Sequence, residues 1–169
     1  MKRISWIKVI AVAGVFSLTS SSAYAVTSAP TASQKAALQY LVEEEKLARD
    51  VYAYIAKNIT SQKFANIVKS EQAHMDEISR LMSVYGIYNP TTSRKAGVFK
   101  NVELQKLYGA LIKEAGTSAF SAFAVGQKIE NMDIVDLKKI LEKDMPADMN
   151  IAVTALLRGS TNHLAAFSR

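Results

Sequence analysis

Glu43-Glu44-Glu45-Lys46-Leu47-Ala48-Arg49-Asp50-Val51-Tyr52 and, after a short break, Ser70-Glu71-Gln72-Ala73-His74 are the stretches that decide how this chain folds. Both read as amphipathic helix. In the first, Leu38, Leu41, Glu45, Ala48, Tyr52 and Ile55 recur at steps of three and four, the pattern of one helical stripe. In the second, Phe64, Ile67, Glu71, His74, Ile78 and Leu81 do the same. A bare carboxylate inside such a stripe costs several kcal/mol to remove from water. Something positive must meet it. Glu71 and His74 are three residues apart, so they project together from adjacent turns. A Glu-x-x-His pair joined by a lone Glu from a neighbouring helix is the building unit of carboxylate-bridged two-metal sites in four-helix bundles.

Working outward, the rest of the chain supplies a second half. A third long helix, predicted from Thr117 or Ser118 to about Lys143, carries Phe123, Glu130, Ile134, Leu137 and Leu141 at helical spacing, with Asp133 one turn beyond Glu130. A fourth, predicted over roughly Asn150 to Phe167, carries Val153, Leu156, Ser160 and His163 on one stripe. The candidate metal ligands are therefore Glu45, Glu71, His74, Glu130 and His163. None of these inward stripes carries a Lys or Arg. Two divalent cations would balance three buried carboxylates, and oxygen and imidazole donors suit Fe or Mn.

Each piece also has an ordinary explanation. Glu43-Glu44-Glu45 can be a solvated charge run in which at most one or two residues face inward, and Glu44 competes with Glu45 as first ligand. Glu130 can pair with Lys128, and a single His163 can be a hydrogen-bonded core histidine. The joint placement of all five on the apolar stripes of four helices, with the only two histidines of the chain among them, favours metal.

The first helix is predicted over 33–58, capped by Thr31 or Ser33, and the second continues to Tyr85-Gly86. An irregular connection over 87–101 and a short amphipathic helix through Leu104, Leu107, Leu111 and Ile112, stopping at Gly116, link the two halves. Asp144 to Asp148 reads as a turn. No period-two alternation or Asn-Gly turn competes with helix. Short turns make two antiparallel hairpins and a long crossover joins them, the ferritin-like arrangement of an all-α four-helix bundle, here with an extra short helix.

Residues 1–25 read as a secretory signal: Lys2, Arg3 and Lys8 precede or flank an apolar run, and Ala23-Tyr24-Ala25 offers a cleavage site. The apolar run is shorter than the ~20 residues of a spanning helix, so no stable membrane span is expected after cleavage. A linker over 26–32 and one domain over 33–169 follow. Cleavage takes the formal charge from +6 to +3. No basic cluster interleaved with aromatics points to nucleic acid. The absence of cysteine excludes disulfides and thiolate-bound metal. The expected location is the periplasm or the extracellular space.

Glu45-Lys46-Leu47-Ala48-Arg49-Asp50-Val51-Tyr52-Ala53-Tyr54 resembles the first-helix signature of rubrerythrins and other ferritin-like proteins, and Ser70-Glu71-Gln72-Ala73-His74 their second-helix motif. With Ile129-Glu130, Asp133-Ile134, Asp136-Leu137 and Gly159-Ser160-Thr161-Asn162-His163-Leu164, nearly the whole mature chain resembles the bacterial ferritin-like family called domain of unknown function 2202. The resemblance implies a di-iron-type centre. It also marks departures: ferritin-like di-iron proteins usually have a Glu where Ser160 stands, so five ligands remain, a set similar to that of manganese catalases. Rubrerythrins deliver electrons through a Cys-bound iron, which this chain cannot build.

The expectation is an exported protein binding two Fe or Mn ions and reacting with O₂ or peroxide. Glu71 would bridge, Glu45 and Glu130 would be terminal or bridging, and each metal would take one imidazole. Water or substrate would occupy the place vacated at Ser160. Asp133 and Asp50 are candidate partners for the imidazoles, and Tyr52 and Tyr85 read as core. The alternatives are metal capture without turnover, and a metal-free interaction module using the 87–101 loop. Self-association into a homo-oligomer is left open.

Overall fold

A computed structural model describes residues 29–169; the signal assigned to 1–25 lies outside the described residues, as does the first part of the linker. Among the described residues there are five helices and no strand: α1 (Ala32–Asn58), α2 (Gln62–Val84), α3 (Val102–Ala115), α4 (Ala119–Leu141) and α5 (Ala147–Phe167). None is long and apolar enough to cross a membrane.

The boundaries follow from capping chemistry. Thr31 and Gln34 form a reciprocal capping box at α1, so Thr31 rather than Ser33 is the cap. Asn101 accepts from Glu103 N and Leu104 N to start α3, and Ser118 accepts from Ser121 N to start α4. Helix α5 begins earlier than the sequence suggests. Pro146 sets a compatible φ of −52° just before it, and Asp148 lies in the first turn, where a negative charge suits the helix dipole. The expected turn therefore ends at Pro146.

Inter-helix contacts set the directions. Tyr52 meets Phe64 and Glu45 meets His74, so α1 and α2 run antiparallel. Gln127 Nε2 donates to Phe167 O and Ser160 Oγ to Asp133, so α4 and α5 do too. Tyr52 reaches Gly126 and Glu130 while Gln34 reaches Asp144, which makes α1 antiparallel to α4. Lys63 reaches Ala166 and Tyr85 reaches Asp148, which does the same for α2 and α5. Helices α2 and α4 thus point the same way, and the chain between them must travel back along the molecule. Helix α3 makes that journey: it starts beside Glu43 and ends at Gly116, beside Tyr54.

Two apolar clusters fill the interior. One gathers Tyr52, Phe64, Val125 and Phe167; the other gathers Leu41, Ile78, Leu137 and Val153. On every long helix the candidate ligands fall between the residues of these two clusters. The polar layer is a slab inside the core.

The acidic triplet departs from expectation. Glu43, Glu44 and Glu45 are all buried, at 3%, 4% and 2% exposure. Successive helical residues turn by about 100°, so burial of all three requires neighbours on three sides. Helix α1 has them: the crossover, α4 and α2. Glu43 accepts from the backbone N–H groups of Lys100 and Asn101 and fixes the start of α3. Lys46, 1% exposed, pairs with Asp50 and donates to Lys95 O at 3.0 Å. Asp50 also accepts from Arg49 and, at 2.9 Å, from Gly97 N. Gly97 sits at φ +74°, and a Cβ there would lie 2.7 Å from the Tyr108 ring, so glycine is required.

Candidate metal centre

Four helices bring the five predicted ligands together. Helix α1 supplies Glu45, α2 supplies Glu71 and His74, α4 supplies Glu130 and α5 supplies His163. All three carboxylates are at most 2% exposed. Glu71 is the hub. Its Oε2 lies 2.9 Å from His74 Nδ1, and its Oε1 lies 2.9 Å from His163 Nδ1. Glu45 Oε2 is 3.1 Å from His74 Nδ1, and Glu130 Oε1 is 3.6 Å from His163 Nδ1. The donor atoms form two groups, Glu45–Glu71–His74 and Glu71–Glu130–His163, each within 4.8 Å. The two imidazole rings stack at 5.6 Å with an interplanar angle of 27°.

Whether these residues fit cations can be tested on atoms left without partners. Glu71 Oε1 and His163 Nδ1 are buried and only 2.9 Å apart, yet neither has a hydrogen-bond partner. Glu45 Oε1 is likewise unpartnered. Buried polar atoms are rarely orphaned, and donor atoms that converge on a shared ion are left in that state without it. The oxygen and imidazole donors suit divalent cations in their chemistry, and Glu71 belongs to both groups.

Protons are the competing source of positive charge. Burial pushes Glu45 up to about 8, against the pull of His74. Burial likewise pushes Glu130 up to about 7, opposed by His163. Burial disfavours the charged form of both imidazoles, but Glu45 and Glu71 raise His74 to about 10, and Glu130 and Glu71 raise His163 to about 9. Glu71 is the exception: burial would raise it, yet the two histidines hold it at about 2.

The surroundings correct several expectations. Asp50 does not touch an imidazole; Lys46, Arg49 and Gly97 N take it up. Asp133 bonds to Ser160 rather than to a histidine. The partner of His163 Nε2 is Ser70 Oγ at 2.9 Å, which can hold the ring proton there and leave the Nδ1 lone pair toward the carboxylates. The Ser160 hydroxyl is held by Asp133 and by Leu156 O at 3.0 Å. Lys128 pairs with Glu114, not Glu130. Tyr52 is core, fully buried, and its hydroxyl donates to Glu130 Oε1 at 2.7 Å. Tyr85 donates to Asp148 at 2.6 Å.

Glu45, not Glu44, belongs to the cluster. Glu44 faces α4, where burial and then Asp133 and Asp136 push it up to about 9. Gly159 is a site residue that sequence reading missed. A Cβ there would sit 2.5 Å from His74 Nε2, so the bare backbone of α5 makes room for the ring. Its only signal was a glycine inside a helix, where alanine would be more stable.

Fold and site together define an all-helical protein with a buried carboxylate–imidazole cluster drawn from four helices. The chain belongs to the family described as Uncharacterized protein domain (DUF2202), which matches residues 34–169. It is similar to Uncharacterized protein MJ0754 of Methanocaldococcus jannaschii, at 40% identity over 136 residues, covering 80% of this chain and 74% of that protein. It is also similar to the crystal structure of hypothetical protein MJ0754 from Methanococcus jannaschii, with a TM-score of 0.80, 38% identity, and coverage of 82% of this chain and 79% of that one.

Proposed function

We propose that this chain is an exported ferritin-like four-helix bundle whose centre binds two Fe or Mn ions and carries out redox chemistry with O₂ or peroxide. The observation that supports it best is the pair of donor triads sharing Glu71, in which Glu45 Oε1, Glu71 Oε1 and His163 Nδ1 are buried without a hydrogen-bond partner. The antiparallel pairing of neighbouring long helices and the long return through α3 agree with the ferritin-like topology.

Each residue has a part. Glu71 offers one oxygen to each half of the centre. Glu45 with His74, and Glu130 with His163, complete the two halves. Tyr52 orients Glu130 through its hydroxyl, and Ser70 fixes the orientation of His163. The flanking apolar clusters keep bulk water from the centre. The metal pair, when bound, would supply electron transfer to or from oxygen species and Lewis-acid polarisation.

The test is elemental analysis of purified protein alongside Glu71→Ala and His74→Ala. The expected result is about two Fe or Mn per chain, lost in the variants. Metal content that the variants leave unchanged would sink the proposal. Fe(II)-oxidation and peroxide assays then separate turnover from simple capture, because a buffer binds metal without a rate.

A further inference from the structure

Three carboxylates beside the centre have no part in it. Glu44 and Asp133 are 4% and 5% exposed, and Glu44 Oε1, Glu44 Oε2 and Asp133 Oδ1 have no hydrogen-bond partner among the described residues. Buried oxygens in that state call for an explanation. The side chain of the third, Asp136, is 29% exposed.

Asp136 is the most exposed of the three. Asp136, Asp133 and Glu130 descend α4 in steps of three residues, so they share one face. Glu44 stands opposite on α1: the Tyr52–Glu130 and Gln34–Asp144 hydrogen bonds fix the antiparallel register of α1 and α4 and bring Glu44 level with the turn that holds Asp133 and Asp136. Asp133 lies one turn from Glu130, a buried member of the centre on the same helix face. These groups lead from Asp136 at the surface, through buried Glu44 and Asp133, toward the centre. We propose that Asp136, Glu44 and Asp133 form a carboxylate route that carries a divalent cation from the surface beside α4 to the buried centre, with Glu44 as its obligatory stop. It rests on the two-metal reading of that centre.

A route of this kind answers a physical need. The surface grooves of about 230 to 360 Å³ are lined by residues other than the five ligands. A bare divalent ion cannot cross an apolar interior without anionic oxygens to replace its water. Lys139 lies beside this cluster. It is 64% exposed and bridges Asp136 at 2.8 Å, a weak pair that an arriving ion can displace.

Rapid mixing of metal-free protein with Co(II), followed by its d–d absorption, tests the route. Glu44→Gln should slow loading about tenfold, the scale of a lost electrostatic focusing element, while the final Co(II) per chain stays the same. Asp136→Asn, at a partly exposed position that does not endanger folding, should also slow it. Glu103→Gln, the same charge change at a 74% exposed position on α3, should not. Loading of Glu44→Gln at the wild-type rate overturns the route, whatever Asp136→Asn does. So does a lower final Co(II) content in Glu44→Gln, which would make Glu44 a resident ligand. Wild-type protein that takes up no Co(II) removes the centre itself, a distinct failure that takes the route with it.

Discussion

Gly159→Ala is expected to leave the fold standing and to weaken metal binding by about 10- to 100-fold, the range seen when a ligand's support is disturbed. The added Cβ would lie 2.5 Å from His74 Nε2 and 2.6 Å from Cε1, so the ring must retreat by about 0.9 Å to reach ordinary contact at 3.4 Å. Its Nδ1 now sits 2.9 Å from Glu71 and 3.1 Å from Glu45. Such sites tolerate displacements of only about 0.5 Å, so the triad loses its convergence. The backbone gains: alanine is the better helix former by about 1 kcal/mol. Overpacking costs about 1–3 kcal/mol in a rigid core, but here the crowded atoms are the tip of a side chain that can swing. Calorimetric titration with Mn(II), with melts of metal-free protein alongside, separates the two effects. Unchanged affinity, or a loss matched by an equal fall in metal-free stability, would refute the reasoning.

Three further outcomes follow from the same geometry. Tyr52→Phe removes the hydroxyl donor to buried Glu130 and should destabilise metal-free protein by about 1–3 kcal/mol in urea unfolding; no change would show that Glu130 does not depend on it. The stability gap between metal-loaded and metal-free protein should widen from pH 5.5 to 8.5. The folded values of Glu45, His74 and His163, near 8, 10 and 9, lie above their unfolded ones, so their contribution is full below the unfolded value and disappears as pH rises through the folded one, while cation binding releases those protons. Glu71, held low, matters only in acid, below its unfolded value. Melts with and without chelator read the gap, and a gap that narrows with pH contradicts the assignment. Asp50→Ala strands buried Lys46 and should cost about 3–5 kcal/mol while leaving metal per chain unchanged, since Asp50 holds the crossover and not the centre.

Much of the helix pattern was legible because apolar spacing is a local property. Leu41, Glu45, Ala48 and Tyr52 fall on one stripe whatever packs against it, and Thr31, Asn101 and Ser118 cap through contacts within four residues. The same spacing put Glu71 and His74 on one face. Where partners are distant in sequence, the pattern was silent. Glu43 reaches Asn101 and Ser70 reaches His163, and nothing in either segment announces the other.

The chain by itself determined that acidic and imidazole groups would face an apolar interior on four helices, because a 3.6-residue period assigns faces without knowledge of neighbours. Which of Glu44 and Glu45 joined the centre was decided only by tertiary packing. The two differ by 100° around α1, and their environments depend on α2 lying to one side and α4 to another. The burial of all three glutamates, the role of Gly159 under His74 and the diversion of Asp133 to Ser160 have the same origin: they are distances between helices, set once the two apolar clusters closed around the polar layer.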